Sequence, residues 1–89
     1  MKHIKKHSGK IVDFDRVKLK NSIYKTFISN HYPSKEANHF TDMVIADVES
    51  WLDKKTVVTT NDIRSMVNKE LEKIDHAIAL SYKKHKHLW

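Results

Sequence analysis

Across 89 residues the chain has a single glycine, Gly9, and a single proline, Pro33. That scarcity restricts the fold more than any other feature. An all-β chain turns every 8–12 residues or so, and its tight turns draw heavily on glycine and proline. One of each, both near segment boundaries, predicts a helix-rich chain with short connections. The length suits one domain over residues 1–89. Its core is thin, since folding at this size buries only about 60–65% of the surface an unfolded chain exposes. A bound ligand or partner would therefore add usefully to stability.

Other counts narrow the chemistry. There is no cysteine, which excludes disulfides, thiolate zinc sites, iron–sulfur clusters and cysteine nucleophiles from these residues. Apolar stretches run to a few residues, far short of the roughly 20 that span a bilayer. The opening MKHIKKHSGK is basic but has no apolar signal core, and a cytoplasmic protein without membrane contact is expected. Lys and Arg number 17 against 11 Asp and Glu, a net charge of +6. That balance suits a polyanion (nucleic acid, acidic membrane or nucleotide phosphates), and equally a lysine surface serving solubility alone.

Along the chain, residues 2–7 and 10–14 read as two short strands around Ser8 and Gly9, with β-branched Ile11 and Val12 in the second. Asp15 stands where a helix N-cap would, ahead of Leu19, Ile23 and Phe27 on one helical face reaching about residue 30. Pro33 marks the break. A second helix over about 34–53 places Ala37, Phe40, Val44, Val48 and Trp51 on one side. Thr56 to Thr59 are β-branched and predict a third strand. Thr59 and Thr60 before Asp62 give a capping signature, opening a third helix through Ile63, Val67, Leu71 and Ile74. Asp75 can cap a fourth, holding Ala79 and Tyr82 and running into a basic tail. The order is ββααβαα: a helix-rich α+β fold, four helices in a bundle covered by a small three-stranded sheet.

The informative stretch is IKKHSGKIVDFDRVKL, residues 4–19. It reads as a basic strand, a glycine turn, a second strand and an Asp-capped helix with Lys18 in its first turn. Lys6 and Lys18 converge on a phosphate if the strand lies beside that helix start, where free amides add to the pull. A solvated basic hairpin explains the same residues without a ligand.

This stretch resembles the opening of the ATP-cone family, close to V-x-K-R-[DN]-G-x-x-x-x-F-D-x-x-K-[IL]. Ile4, Lys6, Gly9, Phe14, Asp15, Lys18 and Leu19 match it, while His7 replaces arginine and Ser8 the acidic or amide residue. Val58, Thr59, Asp62, Ile63 and Val67 are similar to the family's strand ending V-T and the helix after it. Ala79, Tyr82, His85 and Lys86 stand near its A-x-x-Y-x-x-Y-R ending. The resemblance implies a non-catalytic allosteric domain that binds ATP or dATP with Mg²⁺ between the hairpin and the bundle. Such domains precede ribonucleotide reductases and occur in a zinc-ribbon repressor of reductase genes. Without cysteine, these residues are neither a complete reductase nor that repressor. Partners would be a reductase subunit, a regulator or a second copy. Carried over, Lys6 and Lys18 would hold phosphates and Ile4 would touch the base. Val12, Asp13 and Phe14 would line base and ribose, Thr60 would donate to the nucleotide, and Lys86 would supply a C-terminal basic contact. At His7, one or two donors that titrate near neutrality replace a permanent guanidinium fork, which implies weaker or pH-dependent phosphate affinity.

Two other functions compete: a small basic nucleic-acid-binding protein, and a helical adaptor that kept the fold but binds no ligand. The seven histidines are scattered without metal-ligand spacing, so no metal site is expected. No P-loop, Ser–His–Asp order or catalytic carboxylate pair is recognisable. Asp42, Asp47 and Glu49 are expected on the solvent face of the second helix, and Phe27, Phe40 and Trp51 in the core.

Overall fold

The computed structural model describes residues 3–5 and 11–84. Strand β1 (His3–Lys5) and strand β2 (Ile11–Asp13) are followed by helices α1 (Arg16–Ser29) and α2 (Ser34–Asp53). Strand β3 (Val58–Thr59) leads into helix α3 (Thr60–Ile74), and α4 (His76–Lys84) completes the order. A helix-rich α+β fold with four helices is what the sequence predicts. The expected turn at Ser8 and Gly9 lies outside the described residues. β1 runs antiparallel to β2, with His3 opposite Asp13 and Lys5 opposite Ile11. β3 pairs with the other edge of β1 in parallel, Ile4 against Val58 and Lys5 against Thr59. β3 is shorter than its β-branched run suggests: only Val58 and Thr59 pair with β1, and Thr56 and Val57 lie outside the strand.

Three of the four helices start where a side chain satisfies orphan amides of the first turn, while α2 follows Pro33 without a side-chain cap. Asp15 caps α1 by accepting the Lys18 backbone N–H at 3.1 Å. At α3 the capping box is complete: Thr59 Oγ1 accepts the Asp62 N–H at 3.0 Å, and the Asp62 carboxylate accepts the Thr59 N–H at 2.9 Å. Asp75 caps α4 by accepting the Ala77 N–H at 2.9 Å.

α1 ends less predictably. His31 adopts φ 69°, its N–H bonds the Ile28 carbonyl at 3.0 Å, and the Tyr32 N–H reaches the Phe27 carbonyl at 3.2 Å. These two bonds make a Schellman C-cap, with the accompanying apolar contact made by Phe27 and Tyr32, ring centroids 5.0 Å apart. The left-handed position normally belongs to glycine, and a side chain there costs about 1 kcal/mol or more. His31→Gly is therefore expected to stabilise the fold by about 1 kcal/mol, read as a higher urea midpoint with an unchanged slope.

One buried cluster unites the elements. Ile4 and Val58 enter it from the sheet, and the helices add Leu19, Ile23, Phe27, Val44, Ile45, Val48, Ile63, Val67, Leu71 and Ile78 among others. On α2 the buried face is Ala37, Thr41, Val44, Ile45, Val48 and Leu52, whereas Phe40 and Trp51 are only half-buried at its margin. Successive helical residues step by about 100°, so the choice of Thr41 and Leu52 turns the stripe away from the expected aromatic edge. Arg16–Glu49 and Lys20–Asp42, each at 3.1 Å, tie α1 to α2 on the surface, where such pairs add at most about 1 kcal/mol.

The two helix corners are joined by Tyr32, whose hydroxyl donates to the Asp75 carboxylate at 2.7 Å. That bond, with burial and the Asp75 charge, pushes the Tyr32 phenol up to about 12. It also holds the Asp75 carboxyl below its ordinary value, with the Ala77 N–H assisting. The phenol's contribution is present below the ordinary tyrosine range and is lost as pH rises through about 12. The carboxylate's contribution is present above the ordinary aspartate range and is lost as pH falls through its lowered value. Tyr32→Phe should cost about 1.5–2 kcal/mol across the neutral range, with the difference from the parent shrinking toward both pH extremes.

Candidate functional site

Two element junctions carry the residues singled out in the sequence. At the first, β2 runs through Phe14 and Asp15 into α1. Asp13 closes β2 opposite His3 and is exposed, Phe14 is half-buried against the core, and Lys18 sits exposed in the first turn of α1. The Lys18 ammonium has no ion-pair partner among the described residues. Val12 is placed by its backbone opposite Ile4. The Ile4 side chain is 0% exposed and belongs to the core beneath the strand. Lys6, His7 and Lys86 lie outside the described residues.

At the second junction, β3 passes directly into α3. Antiparallel pairing puts Asp13 at the His3 end of β1, and parallel pairing puts Thr59 at the Lys5 end. The two junctions thus flank the short sheet on opposite sides and at opposite ends.

Thr59 takes the cap of α3, leaving the Thr60 hydroxyl unused. Thr60 Oγ1 is buried and has no hydrogen-bond partner among the described residues, a costly state for a donor. Thr41 Oγ1 is also unpartnered, but that residue is 0% exposed inside the helical core. Thr60 stands at a helix start and is half-exposed as a residue, although its hydroxyl oxygen is itself covered.

A groove of about 550 Å³ begins at the next residue, Asn61, and runs between α3 and α4. Arg64, Lys69 and Lys83 line it, with Asn68 and His76 adding polar edges and Leu80 an apolar one. Glu72 is the one carboxylate among its lining residues, and it is engaged by the His76 Nδ1 at 2.7 Å. The groove joins the start of α3 to the end of α4. Its basic lining is spread over 20 residues of two helices, Arg64 to Lys83, so no local run of the sequence marks it. Only the Arg64 and Lys83 charges hinted at it. Among the described residues no group of three or more histidine or acidic side chains could hold a metal ion. No helix there is long and apolar enough to cross a membrane.

Fold and groove define a small helix-rich domain with a positively charged recess at a helix start, a geometry suited to anionic ligands. The chain belongs to the ATP cone domain family, whose model matches residues 2–89, essentially the whole chain. No curated protein matches it. Membership supports a nucleotide-binding, regulatory role rather than a catalytic one.

Proposed function

We propose that this chain is a non-catalytic nucleotide sensor that binds ATP or dATP beside the N-terminal hairpin, along the start of α3. The observation that carries this reading is the unpartnered, buried Thr60 hydroxyl next to a recess lined by Arg64 and Lys83. A nucleotide supplies both what that hydroxyl lacks, an acceptor, and what the recess suits, phosphate charge. Lys6, His7, Lys18 and Lys86 would contribute the remaining cationic contacts, and Val12, Asp13 and Phe14 would line the base and ribose, with Ile4 supporting them from below. Mg²⁺ would ride on the phosphate oxygens, as it does where a protein supplies few ligands of its own. Nucleotide state would then pass to a reductase subunit, a regulator or a second copy in the cytoplasm.

A ligand that binds only the folded chain stabilises it by mass action, about 2.7 kcal/mol at 100 times its dissociation constant. For a domain of this size that raises Tm by roughly 10 °C or more. Saturating Mg·ATP or Mg·dATP should give such a shift in a thermal melt. An unmoved Tm with both would contradict the sensor reading. The basic recess also suits a nucleic acid, and a random oligonucleotide that binds more tightly than ATP, with a steep salt dependence, would favour that reading instead.

A further inference from the structure

A recess suited to anions gains nothing from a carboxylate, yet Glu72 lines the α3–α4 groove among Arg64, Lys69 and Lys83. Left alone, it would offset one of those charges and repel an anionic ligand. Both of its oxygens instead close on a single ring nitrogen, His76 Nδ1, at 2.7 and 3.0 Å. A carboxylate only accepts, so Nδ1 carries a hydrogen and donates it. The bond spans the bend between the two helices, since Glu72 lies in the last turn of α3 and His76 is the first residue of α4. With Nδ1 already protonated, the imidazole takes its next proton at Nε2. The ring therefore becomes cationic without giving up the Glu72 bond.

We infer that the Glu72–His76 pair is a proton-operated charge switch in the groove, strengthening its hold on a polyphosphate when His76 is protonated and weakening it when His76 is neutral. Protonated, the pair carries no net charge, and the three basic side chains act on the ligand unopposed. Neutral, it leaves the Glu72 carboxylate as a net negative charge among them. The inference rests on the nucleotide reading only in taking phosphate as the occupant of the groove.

Other charges reach the pair from each neighbouring element. α3 contributes Arg64 and Lys69 along the groove, and Lys73, which is held by Glu70 at 2.9 Å. α4 contributes Lys83 and, beside it, Lys84. At the junction the Asp75 carboxyl is lowered first by the Tyr32 hydroxyl, then by the Ala77 N–H, with the His76 charge a smaller contributor. α1 also packs against α4. Its Arg16 and Lys20 are taken up by Glu49 and Asp42, while Lys18 and Lys25 stand exposed. Lysine, arginine and carboxylate side chains ordinarily titrate outside the interval from about pH 5.5 to about pH 8, in which histidine changes its charge.

Calorimetric titration of inorganic tripolyphosphate at about pH 5.5 and about pH 8 tests this with a probe that has no base or ribose. His76→Gln keeps a donor for Glu72 but cannot gain a charge. It should bind like the parent at about pH 8 and about 2- to 5-fold more weakly at about pH 5.5, the scale of one exposed charge interaction. Comparing variant with parent at each pH cancels the titration of the phosphates and of His7. Glu72→Gln should bind more tightly than the parent at about pH 8, by a similar factor. Equal affinities of parent and His76→Gln at both values, a Glu72→Gln variant that binds no more tightly, or no binding of tripolyphosphate to the parent would overturn the switch. The nucleotide reading fails separately. Mg·ATP binding to the parent without a pH-dependent difference in His76→Gln sinks only the switch, and the expected tripolyphosphate pattern without Mg·ATP binding sinks only the sensor.

Discussion

Phe27→Ala is expected to remove about 3–5 kcal/mol of stability, the usual cost of emptying a fully buried aromatic site. Phe27 is 0% exposed, stacks on Phe40 with centroids 5.8 Å apart and meets Tyr32 edge-on at 5.0 Å. Its carbonyl also accepts the Tyr32 amide that closes α1, so the cavity opens beside the turn that aims α2. Domains hold about 0.05–0.15 kcal/mol per residue, which for 89 residues is about 4–13 kcal/mol. At the lower end of that range the substitution leaves the chain barely folded or unfolded at 25 °C. Phe27→Leu, which conserves most of the volume, should cost less than about 1.5 kcal/mol. Urea denaturation followed by helical circular dichroism separates the two. A loss under about 1 kcal/mol for the alanine variant would mean the three rings do not organise this corner.

The helices were legible because each start carries its own local signature. Asp15, the Thr59–Asp62 box and Asp75 are side chains acting within three residues, and Pro33 interrupts the periodicity between the first two helices. The buried face of α1 followed from spacing alone, and so did Ile63, Val67 and Leu71 of α3, while Ile74 is only partly buried and Glu70 joins that face instead. Other features depend on partners far away in sequence. Nothing local distinguishes Thr41 as a buried residue from Phe40 as a marginal one, since the choice is made by what packs against α2. His31 lacks the glycine that usually betrays a left-handed position. Asp47 was expected on the solvent face and is exposed there. The strands were recognised by β-branched residues, yet at two or three residues each they hold too few side chains to mark their ends. Of the candidate site, Thr60 and Lys18 were legible through the family pattern. The α3–α4 groove was not, because Arg64 and Lys83 become neighbours only when the two helices fold back on each other.

The second large effect concerns Lys18. If its ammonium meets nucleotide phosphate, Lys18→Ala should cost about 1.5–3 kcal/mol of binding, or about 10- to 150-fold in affinity. Stability without nucleotide should barely change, since the side chain is exposed and the cap at Asp15 uses only the Lys18 backbone. Thr60→Val is the complementary change, and its two effects should have opposite signs. Removing an unpartnered buried hydroxyl should stabilise the free chain, while the lost donor should weaken nucleotide by about 0.5–1.5 kcal/mol, roughly 2- to 13-fold.

Calorimetric titration of Mg·ATP into the parent, Lys18→Ala and Thr60→Val chains addresses the central claim most directly. The account predicts saturable binding to the parent, the larger loss of affinity in Lys18→Ala, and a smaller loss in a Thr60→Val chain that melts at or above the parent temperature. No saturable heat with the parent, or parental affinity in both variants, would contradict it.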